Sequence, residues 1–268
     1  MEQSNDNLDA GVPAIAGAPK AIEEKSLSKS DRVLNNSAVS NQSQVLGNTP
    51  SANSTSSINE IAQKILELNQ TQRVFQKGSD VEQLKKLVST GFIETTIDGE
   101  SKQKIPSLPL LKSLFNIISN GSNIEVMSWI RPQNKVKPNE KKKGLIHAIG
   151  YAIDIQKING VAIKTATATN EELIEQVNFA LKNLSSGKFV IGLPRYSDDS
   201  KNIFLSNTYN ERFPNGATNI NKTVELLINP VAKSTLKKTI DDLRSKNISV
   251  IELMADGLDH LHIQDFYV

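Results

Sequence analysis

The chain has 268 residues, 38% of them hydrophobic, with 31 Lys and Arg against 29 Asp and Glu and a formal net charge of +2. That length accommodates one globular domain with an additional segment, and so small a charge argues against nucleic acid or an anionic membrane as the main partner. Cysteine is absent, which excludes disulfides, thiolate metal sites and a thiol nucleophile, so any metal must be held by His, Asp or Glu.

Residues 1–56 are rich in Ser, Asn, Gln and Ala and follow neither a helical nor a strand period. They read as a disordered leader, because so few large apolar side chains cannot offset about 1–2 kcal/mol of ordering entropy per residue. The opening Met1-Glu2-Gln3-Ser4-Asn5-Asp6 lacks a basic start followed by an apolar core, so no Sec signal is expected. No window approaches the roughly 18 apolar residues of a membrane span.

Order is expected from Ser57, which forms a capping box with Glu60 ahead of Ile58, Ile61, Ile65 and Leu68 on one helical face. A second helix is expected over 80–88, with Val81, Leu84, Leu87 and Val88 inward and Gly91 stopping it. Residues 57–107 thus read as a helical linker or N-terminal extension to a domain spanning 108–268. That domain opens with a helix over 108–118, followed by a strand over 124–131, a Pro- and Lys-rich loop, and a strand over 146–155. Asn159-Gly160 predicts a hairpin turn back along 161–164. Thr169 and Glu172 form a further capping box, opening a helix that buries Leu173, Val177, Ala180, Leu181 and Leu184. Strands are expected over 189–193 and 203–206, a helix after Asn229-Pro230, and last strands over 248–254 and 260–266. The fold class is α+β, a largely antiparallel sheet with flanking helices.

The chain contains three histidines, His147, His260 and His262, each placed by this reading in a strand or at its edge. The first opens a His-x-x-Gly-x-Ala-x-Asp pattern, His147 to Asp154. Gly150 lets the backbone turn and Ala152 leaves space, so imidazole and carboxylate can converge on one point. In Asp259-His260-Leu261-His262 the two histidines stand two residues apart and project from one face of a strand. Two imidazoles and one carboxylate supply three ligands and leave a fourth tetrahedral position open, the arrangement of a catalytic zinc.

These motifs resemble those of the zinc D-Ala-D-Ala carboxypeptidase and peptidoglycan endopeptidase superfamily, which shares its fold with the hedgehog signalling domain. The resemblance spans about residues 108–268. It rests on the His147–Asp154 element, the later His-x-His, and an upstream arginine in Ser128-Trp129-Ile130-Arg131-Pro132. It implies a hedgehog/DD-peptidase-like fold, zinc held by His147, Asp154 and His262, and Arg131 binding the oxyanion on the scissile carbonyl. His260 is then a neighbour that assists the attacking water or stabilises the transition state, and the general base is His260 or Asp259. Two departures stand out: Leu145 replaces a serine common two residues before the first histidine, and Asp259 stands where some members carry a glutamate.

The implied activity is zinc-dependent hydrolysis of amide bonds in peptidoglycan stem peptides or cross-links. The alternative is a non-catalytic module of a phage-like or contractile particle, braced by zinc. Without a Sec signal the expected route is synthesis in the cytoplasm and delivery to the cell wall by a particle or by lysis, with residues 1–56 as the docking segment. Trp129 and Tyr151 flank the site and read as packing residues.

Overall fold

The computed structural model describes residues 52–132, 141–164, 166–208 and 220–266. Most of the expected leader, residues 1–51, therefore lies outside the described residues. Helix α1 (Ala52–Gln72) begins earlier than the capping box at Ser57 and Glu60 suggests, which places Ser57 inside the helix. Of the expected stripe Ile58, Ile61 and Ile65 are buried, with Ala62 beside them, and Leu68 is half-buried against the core. Beyond the helix end, where Arg73 has a φ of 50°, the Asn69 side chain accepts the Phe75 N–H (2.9 Å).

Helix α2 (Gly78–Thr90) buries Leu84 and Leu87 and stops at Gly91, whose φ of 77° lets its N–H reach the Leu87 carbonyl. Then comes an element the helical-linker reading did not contain: a hairpin of β1 (Ile93–Ile97) and β2 (Glu100–Lys104). Its turn residues Asp98 and Gly99 have φ of 53° and 84°, both positive as a type I′ turn requires. Helix α3 (Leu108–Asn120) is capped by Ser107, whose hydroxyl accepts the Leu110 N–H at 3.0 Å and donates to Asp265 at 2.6 Å.

The main sheet contains β3 (Glu125–Ser128), β4 (Ala152–Ile158), β5 (Val161–Ala162), β6 (Gly187–Leu193), β7 (Ile248–Ala255) and β8 (Leu261–Asp265). Its order is β3-β4-β8-β6-β7, with β5 hairpinned onto β4 through Asn159-Gly160. The edge at β3 is partly covered, since Val126 exchanges backbone hydrogen bonds with Val74 and Gln76. Every pairing among these strands is antiparallel except β6 with β7, because the chain returns between them through helix α7 (Pro230–Ser245). Helix α5 (Asn170–Lys182) starts with both reciprocal bonds of the Thr169–Glu172 capping box. Helix α6 (Ile220–Glu225) is a short turn of helix before α7.

Two expectations fail for one reason, that a short apolar run carries no reliable period. Ile203, Phe204 and Leu205 are all buried but form no strand; the carbonyls of Ile203 and Phe204 accept from Asn229 and Ile228 instead. Residues 146–148 belong not to a strand but to helix α4 (Lys141–Ala148). Gly150, with φ of 75°, ends that helix: Tyr151 N–H bonds the Ile146 carbonyl (2.9 Å) and Gly150 N–H the His147 carbonyl (3.1 Å).

Strand alternation sorts the sheet into two faces. Ile153, Ile263, Ile191 and Leu253 are matched across β4, β8, β6 and β7 and are all buried. They share one apolar cluster with Ile65 of α1, Leu111 of α3, Val177 of α5 and Leu236 of α7, so helices back this side. The residues one step along, Ser128, Asp154, His262, Gly192 and Met254, form the matching row on the other face. The segment 57–107 joins the same core, and the described residues all fall within one compact unit, Asn48–Val268.

Candidate metal centre

The polar row meets the end of α4 at a cavity of about 230 Å³. Asp154 on β4 and His262 on β8 are direct cross-strand partners, with His262 Nδ1 2.8 Å from Asp154 Oδ1. His147 comes from the last turn of α4 rather than a strand, and its Nε2 lies 3.5 Å from the same oxygen. His260, immediately before β8, brings its Nε2 to 3.7 Å from that oxygen too. One carboxylate oxygen thus faces three imidazole nitrogens, and Asp154, His147 and His262 are each buried.

Which nitrogens carry protons follows from their partners. His147 Nδ1 lies 3.2 Å from the Trp129 carbonyl, which can only accept, so Nδ1 holds the proton and Nε2 presents a lone pair to Asp154. Burial, and then the neighbouring His262 and Arg131, push His147 down to about 2, so the ring stays neutral. A lone pair facing a carboxylate oxygen in a buried site is repulsive unless a cation lies between them. The second oxygen, Asp154 Oδ2, is buried without a well-formed hydrogen bond and faces the Arg131 guanidinium only as an ion pair.

Potential ligand atoms of His147, Asp154 and His262 all lie within 4.8 Å of one another. Two imidazoles and a carboxylate suit zinc or a similar borderline divalent ion, so the residues present fit a metal centre. Arg131 leaves the end of β3 with its Nε donating to Ser128 Oγ at 2.7 Å and its side chain 45% exposed, at the solvent side of the cavity. Burial pushes its guanidinium down, and the charges of Asp256 and Asp80 oppose that shift.

Asp259 stands elsewhere. Its carboxylate accepts from His260 Nδ1 at 2.9 Å with its side chain 55% exposed, and it does not line the cavity. In that tautomer His260 Nε2 is the lone-pair nitrogen facing inward. Trp129 is buried at 1% exposure, as a packing residue should be.

Three wall residues escaped the sequence reading: Met254, Asp256 and Gln264. Asp256 Oδ2 lies 3.7 Å from His262 Nδ1 and 4.0 Å from His260 Nε2. The available signal was spacing, since Met254 and Asp256, like His262 and Gln264, are two apart on strand ends. Gly192 makes the crowding possible: a Cβ there would lie 2.7 Å from both His262 Cβ and Asp256 Oδ2. Among the described residues no helix is long and apolar enough to cross a membrane. Comparisons with protein-family models, with curated proteins and with solved structures give no match, so the functional reading rests on this geometry.

Proposed function

We propose that the chain is a zinc-dependent peptidase of the hedgehog/DD-peptidase type that hydrolyses amide bonds in peptidoglycan stem peptides or cross-links. The observation that carries the reading is the single buried oxygen of Asp154 met by three imidazole nitrogens at 2.8, 3.5 and 3.7 Å. His147, Asp154 and His262 would hold the zinc. Bound there, the ion supplies a Lewis acid that makes water nucleophilic near neutral pH and polarises a carbonyl.

The remaining work falls to side chains of this chain. His260 accepts the proton of the attacking water at Nε2, and Asp259 orients its ring and stabilises the imidazolium that forms. The choice of base between His260 and Asp259 is thereby a division of labour, with His260 at the cavity and Asp259 behind it. Arg131, half-exposed at the solvent side, offers a fixed cation to the oxyanion of the scissile amide. Synthesis in the cytoplasm and delivery to the wall by a particle or by lysis remain part of this proposal.

A second reading is a zinc-braced, non-catalytic module of a delivery particle. It draws on the Arg131–Asp154 ion pair, in which the arginine is engaged with a candidate ligand rather than held apart for substrate. Digestion of purified peptidoglycan with the zinc-loaded full chain, with and without chelator, separates the two. The enzyme reading expects new muropeptides by mass spectrometry that vanish on chelation; an unchanged muropeptide profile at full zinc loading rejects it.

A further inference from the structure

We infer that Asp80, on helix α2 far from the cavity in sequence, is a positioning residue of the metal centre: it fixes the backbone that aims His147. This rests on the reading of His147 as a metal ligand. Asp80 is completely buried, and its two carboxylate oxygens accept from two successive N–H groups, Trp129 at 3.1 Å and Ile130 at 3.2 Å. The Asp80 carboxylate does not cap the first turn of α2, whose N-cap residue Lys77 also makes no side-chain cap. The carboxylate serves a remote segment instead.

That segment needs an acceptor. Strand β3 ends at Ser128, so the N–H groups of Trp129 and Ile130 have left the ladder, while both residues are buried at 1% and 6% exposure. Water cannot readily satisfy them there, and an unmet buried donor is costly. Only a carboxylate presents two acceptor oxygens to adjacent N–H groups with no proton in the way. Burial pushes Asp80 up, and the two backbone bonds, then the Lys77 and Arg131 charges, pull against that.

The functional consequence lies on the other side of the same peptide units. The Trp129 carbonyl accepts a hydrogen bond from His147 Nδ1–H and thereby commits Nε2 to the centre. Arg131 follows directly, its Nε tied to Ser128 Oγ. Residues 129–131 are thus held from behind by α2 and present a carbonyl and a cation forward. The helical layer that precedes the sheet thereby enters the site without lining it.

Asp80→Asn tests this in the full chain, because the near-isosteric amide keeps one acceptor and turns an NH2 donor against an N–H. Two readouts are taken below the melting point: zinc affinity by chelator competition, and the His147 ring tautomer by ¹⁵N NMR of the metal-free protein. The expected result is about a 10–100-fold loss of zinc affinity, the range for outer partners of a ligand, together with loss of the pure Nδ1–H form at His147. Asn229→Ala, which removes the α7 cap and so lowers stability away from the centre, should leave both unchanged. A folded Asp80→Asn chain with wild-type zinc affinity and an unaltered tautomer overturns the inference. If Asp80→Asn does not fold, the unmutated chain decides: the Trp129 and Ile130 amides must exchange as slowly as the sheet core and His147 must be Nδ1-protonated, and rapid exchange or the other tautomer overturns it. A wild-type chain that binds no zinc removes the metal reading, whereas the tautomer comparison still judges Asp80.

Discussion

Asp154 and His262 reach the centre from one sheet, whereas His147 and Arg131 reach it from a helix end and from chain that has left its strand. The sheet-borne pair is placed by the ladder itself: the register that matches Asp154 to His262 is set by the buried row of Ile153, Ile263, Ile191 and Leu253 one step away. A slip of one residue would exchange the whole polar row for the apolar one, so core burial and ligand placement are a single constraint. The other pair has no ladder. It depends on a helix stop at Gly150, a serine hydroxyl under Arg131 and a buried carboxylate behind Trp129. The sheet-borne pair is sensitive to whatever crowds the ladder, and the other pair to the loss of any one of its anchors.

The largest expected effect comes from the residue where the two halves meet. Asp154→Ala removes the oxygen that all three imidazoles face, and its zinc affinity by chelator competition should fall by more than the about 100-fold typical of losing an outer partner. Next is Arg131→Ala, which belongs to the anchored half but is no ligand: zinc affinity should stay within about threefold while hydrolysis of peptidoglycan falls by about 10²–10³, the scale for one oxyanion donor. An equal loss of both would place Arg131 in the metal site itself.

Two glycines then separate the halves. Gly150→Ala puts a Cβ on a residue with φ of 75° and 2.7 Å from Pro106 Cβ, so it should cost about 1–3 kcal/mol of stability by denaturant titration. Gly192→Ala, free of that backbone strain, pushes on His262 Cβ and Asp256 Cβ at 2.7 Å and should lower zinc affinity as well as stability. If both variants lost only stability, the contrast between the halves would not hold.

The effect that is smallest near neutral pH, and grows as acid is added, is a pH dependence of the metal-free chain. His147 is held neutral in the fold, pushed down to about 2, against an ordinary value of 6.5. Below that value the unfolded chain binds a proton that the folded one refuses, so stability falls as pH drops from 6.5 toward 2, with a slope of up to about 1.4 kcal/mol per pH unit from this group. Comparing denaturant midpoints at several pH values for wild type and His147→Gln should show the variant with the shallower acid limb.

The same division explains what could be read before any coordinates. Asp154 and His262 were legible because alternation along a strand is a local pattern, and the capping box at Thr169 or the hairpin at Asn159-Gly160 are local as well. His147 was found as a residue but assigned to the wrong element, since Leu145-Ile146 before it fits a strand as well as a helix and only the Gly150 stop distinguishes them. The Asp98-Gly99 turn was a readable signal that the helical-linker reading passed over. Asp80 was beyond reach in principle: it acts through a contact 49 residues away, and no spacing marks it. Asp256 left one signal, its place two residues after Met254 at the end of β7.

Zinc titration of the metal-free full chain, followed by X-ray absorption at the zinc edge, addresses the central claim most directly. The account predicts one zinc per chain with imidazole scattering from two histidines and a carboxylate oxygen, and loss of that site in His262→Ala. Failure to take up zinc, or an unchanged zinc site in His262→Ala, would contradict it.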